Sequence, residues 1–254
     1  MTTTTALAVI ENFNLAVPTG EMAQAMAEEM DGLQFNFDKV KVPSGGGIMW
    51  SIPNPDDPED PEMTKELIGV IVDHHPVNAW WEKKYDGSKN PPDCSSLDGK
   101  FGIDRRTGEK INCASCSKNQ WGSDPEGSGG KWCKNMRRVY LMREGSPFPL
   151  LVTIPPTSLQ NFGDFVAKKV IGKGITTIQI LTKLTLKKDT NKNGIEYSKV
   201  VAAPAGALDK NAATMAAEYS KTIKPITRTI AIEADDYYTD NDRTTTTQDE
   251  EDVM

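Results

Sequence analysis

The chain is poor in the residues that most often carry chemistry. Its 254 residues include two histidines, His74 and His75, and four cysteines. No G-x-x-x-x-G-K-[ST], G-x-G-x-x-G or G-x-S-x-G stretch occurs. Phosphate-loop, dinucleotide and serine-nucleophile chemistry therefore have no support in the sequence. No D/E-x-K stands beside a clear strand edge, and most carboxylates fall in loops or near the C-terminal end, so a nuclease is a distant third reading. Long apolar runs are missing too: Leu67–Val72 is far too short to span a bilayer. The opening MTTTTALAVIENF lacks the basic start and the apolar stretch of a signal peptide. These absences predict a soluble, cytoplasmic, non-catalytic protein with no membrane partner, whose cysteines are not structural disulfides.

What is present is unevenly spread. At 37% hydrophobic residues the chain can bury a core, although its mean hydropathy of -0.49 implies a polar surface. The net charge of -7 hides strong segregation. Residues 1–81 carry 3 basic and 13 acidic residues, and residues 82–143 carry 13 basic and 8 acidic. Residues 165–199 hold 8 basic and 2 acidic, and residues 233–254 hold 1 basic and 9 acidic. A basic middle between acidic ends predicts an anion-binding surface and a competitor for it in the same chain.

The cysteines are Cys94, Cys113, Cys116 and Cys133, spaced C-x18-C-x2-C-x16-C. Two residues between Cys113 and Cys116 let both sulfurs face one point, and two thiolates from flanking loops would complete a tetrahedral zinc shell. Residues 87–135 are poor in Val, Ile and Leu, so a metal would have to hold them. Four protein ligands leave no position for a catalytic water, and one structural zinc per chain is expected. A redox dithiol is the alternative, but it requires the pair to open a helix after a buried strand, and FGIDRRTGEKIN is polar and turn-like. His74 and His75 adjoin an apolar run and read as strand residues rather than ligands.

Aromatic residues are interleaved with this basic stretch. Adjacent Trp80 and Trp81 on a strand must face opposite ways. Single-stranded nucleic acid needs rings for its bases and cations for its phosphates. Trp80 or Trp81, Tyr85 and Trp121 are the expected stacking rings. Lys83, Lys84, Arg105, Arg106, Lys131, Lys134, Arg137 and Arg138 are the expected phosphate contacts. The competing expectation is that the rings fill a core short of aliphatic residues.

Several elements are legible. FNFDKVKV and IMWSI read as strands on either side of SGGG, and a short helix is expected over Glu21–Met30. Pro53–Glu62 reads as an acidic loop. ELIGVIVDHHPVNAWWEK reads as two strands turning near Pro76, and RRVYLM and PLLVTI as two more. PPTSLQNFGDFVAKKVIG reads as a helix with a Thr157/Gln160 capping box. TTIQILTKLTLKK and IEYSKVVAAP form a hairpin around Asn193-Gly194, and LDKNAATMAAEYSKTI forms a second helix. The fold expected is mainly β with added helices, an OB-like antiparallel Greek-key barrel carrying an inserted zinc-binding subdomain. Its parts would be an N-terminal helical, acidic segment (1–34), an OB-like core (35–232) with the insertion at about 87–135, and a disordered acidic tail (233–254).

This plan resembles that of the T-even phage single-stranded-DNA-binding proteins: an OB-fold, an inserted zinc subdomain and an acidic C-terminal region. In that resemblance Cys94, Cys113, Cys116 and Cys133 stand for the zinc ligands, where the family uses three Cys and one His. The ending QDEEDVM resembles the tip of bacterial single-stranded-DNA-binding proteins, without their Pro-Phe end. It implies that Asp249, Glu250, Glu251, Asp252, Val253 and Met254 recruit replication or recombination proteins. The function so implied is coating and protecting single-stranded DNA in phage replication or recombination. The alternative is a zinc-stabilised protein-interaction module or a transcription or replication accessory factor.

Overall fold

The computed structural model describes residues 7–11, 13–18, 21, 25, 28–29, 36–83, 85, 90–191 and 194–237. Its main feature is a curled mixed sheet of ten strands. The central strand is β5 (Glu66–Trp80), fifteen residues long. One edge of β5 pairs along most of its length with β9 (Lys134–Met142), antiparallel, and β9 continues to β10 (Leu150–Ile154). The other edge is shared: Glu66–Val70 pair with β11 (Ile180–Thr190), and Asn78–Trp80 pair with β6 (Cys94–Ser96). β11 turns back into β12 (Glu196–Leu208), and β6 leads to β7 (Phe101–Asp104) and β8 (Lys110–Asn112). Two residues of β1 (Val9–Ile10) lie parallel to the end of β12, and two of β2 (Lys39–Val40) lie parallel to β10. A separate hairpin joins β3 (Trp50–Ile52) to β4 (Glu62–Thr64).

Strand periodicity divides the apolar side chains between two layers. Leu67 and Ile71 of β5, Val139 and Leu141 of β9, and Val152 and Ile154 of β10 point to one side, with Leu184 and Trp50. Helix α1 (Leu159–Asp164) and the π-helical turn Phe165–Val170 cover that side with Phe162, Phe165 and Val170. Their neighbours Val70, Val72, Tyr140, Met142 and Leu151 point the other way. There they meet Ala212, Ala216 and Ile223 of helix α2 (Lys210–Thr227). A sheet covered on both faces needs near-continuous apolar strands, which is why ELIGVIV does not alternate. Gly69 is required where β5 presses on β9: a Cβ there would stand 2.3 Å from the Met142 carbonyl oxygen.

The sheet curls without closing. Among the described residues β10 and β12 do not pair. β2 takes the free edge of β10, and a single bridge, Ser44 to Tyr197, touches the hairpin. The structure thus establishes a mainly β fold whose half-barrel sheet packs, among the described residues, against the two helices α1 and α2.

Other expectations fare differently. The β9, β10 and β11–β12 strands fall where expected, with Gly194 in the left-handed region at the turn (φ 80°). Asp209 caps α2 by accepting from the Asn211 and Ala212 N–H groups at 2.8 and 2.9 Å. Pro76 does not turn the chain. It sits inside β5 between the β11 and β6 pairings, where among the described residues no strand lies beside the edge away from β9, a position a strand proline tolerates. The Thr157 capping box is not formed. A 3-10 turn (Pro156–Ser158) precedes α1, and the Ser158 hydroxyl instead accepts from the Val200 N–H at 2.9 Å. The expected helix over Glu21–Met30 lies largely outside the described residues. So does the tail from residue 238 on. The tail's expected first residues are not disordered: Glu233–Tyr237 are docked, as set out below.

Candidate nucleic-acid interface and cysteine site

The chain between β5 and β9 forms a lobe around the cysteines. In the β6–β8 sheet, alternation sends Cys94, Ser96, Gly102 and Ile111 to one face. These residues, with Cys113, Cys116 and Cys133, line one cavity of about 20 Å³, room for one water or ion. All four cysteines are free thiols. Burial and the neighbouring Cys113, Cys116 and Cys94 push the Cys133 thiol up to about 12, and burial with Cys113 and Cys116 raises Cys94. Gly102 makes the approach possible, since a Cβ there would stand 2.8 Å from the Cys94 Sγ and 3.9 Å from the Cys113 Sγ.

Hydrogen bonds fix the loop that carries the pair. The Asn119 amide donates to the Cys113 carbonyl at 2.8 Å, and the Gln120 amide donates to the Ala114 and Cys116 carbonyls at 3.0 Å. The lobe is tied to the main sheet by Asn135, whose amide donates to Asn78 and Asn119, both at 2.9 Å. Among the described residues no group of three or more His, Cys, Asp and Glu side chains is drawn together tightly enough to hold an ion as it stands. The donor set is nonetheless four soft thiols sharing one cavity, which suits zinc chemically. A thioredoxin-like arrangement is not present. Only a three-residue 3-10 turn, Ser117–Asn119, follows the Cys-x-x-Cys.

A second, larger feature is a cleft of about 760 Å³ between this lobe, the end of β10 and strand β12. Trp81, Tyr85 and Trp132 of the lobe and Tyr197 of β12 line it, as do Lys41, Lys83 and Lys134. Acidic residues share the cleft: Glu82, Asp124 and Glu126 of the lobe, and Asp235 and Asp236 of the C-terminal segment.

That segment is stapled along the sheet. The Asp73 carboxylate receives the Arg228 guanidinium at 2.8 and 3.0 Å and the Thr227 hydroxyl at 2.7 Å, and lies 3.2 Å from His75 Nδ1. Burial alone would raise the Asp73 carboxyl, but these hydrogen bonds hold it well below the carboxylate range. The fully buried Arg138 donates to the Ile230 and Ala231 carbonyls at 2.6 Å and to Asp236 at 2.5 Å. Lys39 reaches Glu233 at 2.6 Å, Asp235 at 2.9 Å and Asp236 at 3.1 Å. Burial alone would lower Lys39, but the three carboxylates outweigh it and keep the ammonium protonated.

The expected site residues scatter when placed. Trp80 and Trp81 do face opposite ways. Trp80 is 2% exposed, edge-on to Trp132 with centroids 5.1 Å apart, and lines the cysteine cavity with Lys118 Nζ 3.4 Å above its ring. It is closed to a base. Trp81 forms part of the cleft wall and donates to the Asn90 carbonyl at 3.1 Å. Trp121 is 80% exposed, with Lys131 Nζ 5.6 Å from its ring centroid. Lys83, Tyr85 and Lys134 line the cleft, and Lys84 lies outside the described residues. Lys131 donates to Asn119 and Asn135 at 3.3 and 3.0 Å within the lobe. Arg105 pairs with Asp93 at 3.5 Å, and exposed Arg106 follows it in the turn.

Two of the expected phosphate contacts face elsewhere. Arg137 approaches His74 Nδ1 at 2.5 Å, beside α1 rather than in the cleft. Arg138 is unavailable to any phosphate, because RRVYLM is a strand and its alternation puts the second arginine inside. Residues 249–254 lie outside the described residues. Sequence reasoning missed Lys41, Trp132, Tyr197 and Tyr237 as cleft residues; only Trp132, flanked by Lys131 and Cys133, carried a local signal. No family model, curated protein or solved structure matches the chain.

Proposed function

We propose that the protein binds single-stranded DNA without catalysing a reaction, as a phage-type protein that coats and protects the strand during replication or recombination. The observation that carries this reading is the cleft, in which Trp81, Tyr85, Trp132 and Tyr197 face the same volume as Lys41, Lys83 and Lys134. Unstacked bases would lie on the rings and phosphates would meet the lysines. The fold reading behind it is an OB-like barrel left open. Its five strands run β12-β11-β5-β9-β10, with α1 between β10 and β11. The lobe inserted after the first of these strands and the β11–β12 hairpin flank one face, where such barrels take oligonucleotides.

Cys94, Cys113, Cys116 and Cys133 would hold one zinc. When bound, it supplies a closed thiolate shell that fixes the lobe, with no position for a reacting water. The lobe then holds Trp132 and Lys134 against the cleft. Residues 249–254 would recruit replication or recombination proteins.

Titration with oligo(dT) should quench tryptophan fluorescence, with affinity falling steeply as salt rises. Replacing Tyr85 with Ala should cost about 1–3 kcal/mol of binding, and Lys134→Ala should reduce the salt slope by about one. A protein whose fluorescence does not respond to oligo(dT) at any salt is not a single-strand binder. Asp124 and Glu126, beside the lysines, favour a second reading, a protein-interaction module whose partner carries both charges. That reading predicts no oligo(dT) response.

A further inference from the structure

On the α1 side of the sheet a groove of about 310 Å³ opens between the helix and the β5–β9 ladder. Alternation sends the facing pairs Pro76–Arg137 and Asn78–Asn135 to this side. The helix and its π-helical continuation supply Leu159, Phe162 and Val166, and the 3-10 turn beyond them supplies Ile171. Ile171 is 63% exposed. At Gly163 the wall has no side chain, and an added Cβ would meet nothing within 4 Å. A π-helical turn inside a helix is a feature that functional sites often retain.

One charged side chain lines this apolar groove, the half-buried Arg137. Its guanidinium donates to His74 Nδ1, a neutral acceptor, and among the described residues no carboxylate pairs with it. The carboxylates on the surrounding elements are matched by cations of their own. Asp164 pairs with Lys168 at 3.0 Å. Asp73 lies on the opposite face of the sheet and pairs with Arg228 at 2.8 Å. Asp98, on the loop that covers Pro76, has Lys100 beside it. Left over are Arg137 itself, Lys131 behind Asn135, and the exposed Lys169 and Lys173 on the helical stretch. A half-buried guanidinium without a counter-ion, set in apolar walls, selects a carboxylate carried next to apolar side chains.

We propose that this groove docks residues 249–254 of a neighbouring copy of the chain. Asp249-Glu250-Glu251-Asp252 followed by Val253-Met254 joins anions directly to two apolar side chains. The Asp252 carboxylate takes the two-pronged pairing that a guanidinium offers. Val253 and Met254 lie against Phe162, Val166 and Ile171, and a flexible thioether suits an irregular gap. A neighbour supplies the segment because the described chain leaves the sheet on the other face. There Tyr237 packs with Val77 and Met136, the strand neighbours of Pro76 and Arg137. A donor on one face and a receiver on the other make a heterologous contact, which repeats head to tail instead of closing. Nothing in this contact requires the cleft to bind nucleic acid.

The test titrates a fluorescein-labelled, C-terminally amidated peptide of residues 247–254 with the full chain at low salt. Anisotropy should saturate at one peptide per chain. Gly163→Leu fills the groove at an exposed helix position where leucine is the better helix former, so the melting temperature should not fall. Gly163→Leu and Arg137→Gln in the protein, and Asp252→Asn in the peptide, should each weaken binding at least about ten-fold. Sedimentation of the full chain should show an average mass that rises with concentration, and Gly163→Leu should remove that rise. A peptide that does not bind, or that binds the Gly163→Leu protein as well as the wild type, overturns the groove as its receiver. A mass of one chain at every concentration overturns the neighbour, since the segment would then sit in its own groove. Octanoate that displaces the peptide, with Asp252→Asn binding unchanged, overturns the proposal in favour of a small apolar carboxylate.

Discussion

Buried polar residues account for the chain's most specific contacts. His74 is pushed down to about 4 by burial and by the Arg137 guanidinium beside it, so it is neutral and accepts a hydrogen bond from that arginine. Its ring in the unfolded chain titrates near 6.5. Below that pH the unfolded state takes up a proton that the folded state refuses until pH falls to about 4. The folded protein should therefore be at full stability above pH 6.5 and lose up to about 3 kcal/mol on this account between pH 6.5 and 4. Urea unfolding at a series of pH values measures it. His74→Gln, which keeps an acceptor for Arg137, should flatten most of that slope; a variant as pH-sensitive as the wild type would assign the slope to other groups. His75 is lowered as well, by burial first, and contributes in the same direction. The sequence marked these two residues as strand residues, and both lie on β5. It gave no sign that Asp73 would gather Thr227 and Arg228 beside its strand neighbour His75, because those two lie more than 150 residues further along the chain.

Local chemistry decided which elements were legible. The β11–β12 hairpin is readable from its Asn-Gly turn. Pro76 misled because a proline inside an apolar run ordinarily ends a strand. Here β5 is long enough to be paired at both ends and bare on one edge between. The cysteine lobe has little apolar burial of its own, contributing Trp81 but few aliphatic residues to any core cluster. Protein purified without chelator should contain one zinc per chain. Cys116→Ser should release the metal and speed amide exchange across residues 94–133, leaving β9–β12 protected. Four reactive thiols with no metal in the purified wild type would eliminate the site. Gly102→Ala should weaken metal retention likewise, because its methyl group would collide with the Cys94 sulfur.

At the scale of the whole molecule, the acidic C-terminal segment begins inside the cleft rather than beyond it. Glu233, Asp235 and Asp236 are bound by Lys39 and Arg138 as part of the fold, so a truncation at residue 233 would unsettle the sheet. Removing residues 238–254 is the cleaner experiment. That piece carries six acidic residues and one arginine, a net charge of -5. Tethered at the cleft wall, it has roughly millimolar effective concentration there. Its deletion should tighten oligo(dT) binding several-fold at low salt. The gain should fade as the screening length drops from ~10 Å at 0.1 M to ~3 Å at 1 M. Superimposable binding curves at every salt would mean that the segment does not compete. The cleft itself was only half legible. Trp81, Lys83, Tyr85 and Lys134 were readable from the basic aromatic stretch, but Lys41, Tyr197 and Tyr237 join it only through the curl of the sheet.

The unclosed sheet has one more consequence. β10 and β12 each carry a row of backbone donors and acceptors on their outer edges, and among the described residues only short pieces cover them: Lys39–Val40 along β10, and Val9–Ile10, the Ser44 bridge and the Ser158 hydroxyl along β12. Such edges template strand addition from other chains. Val9–Ile10 and Lys39–Val40 therefore act as a guard against self-assembly as much as a part of the fold. A chain shortened to begin at Val42 should form oligomers or precipitate at concentrations where the intact protein stays dispersed. Light scattering on the two would show it.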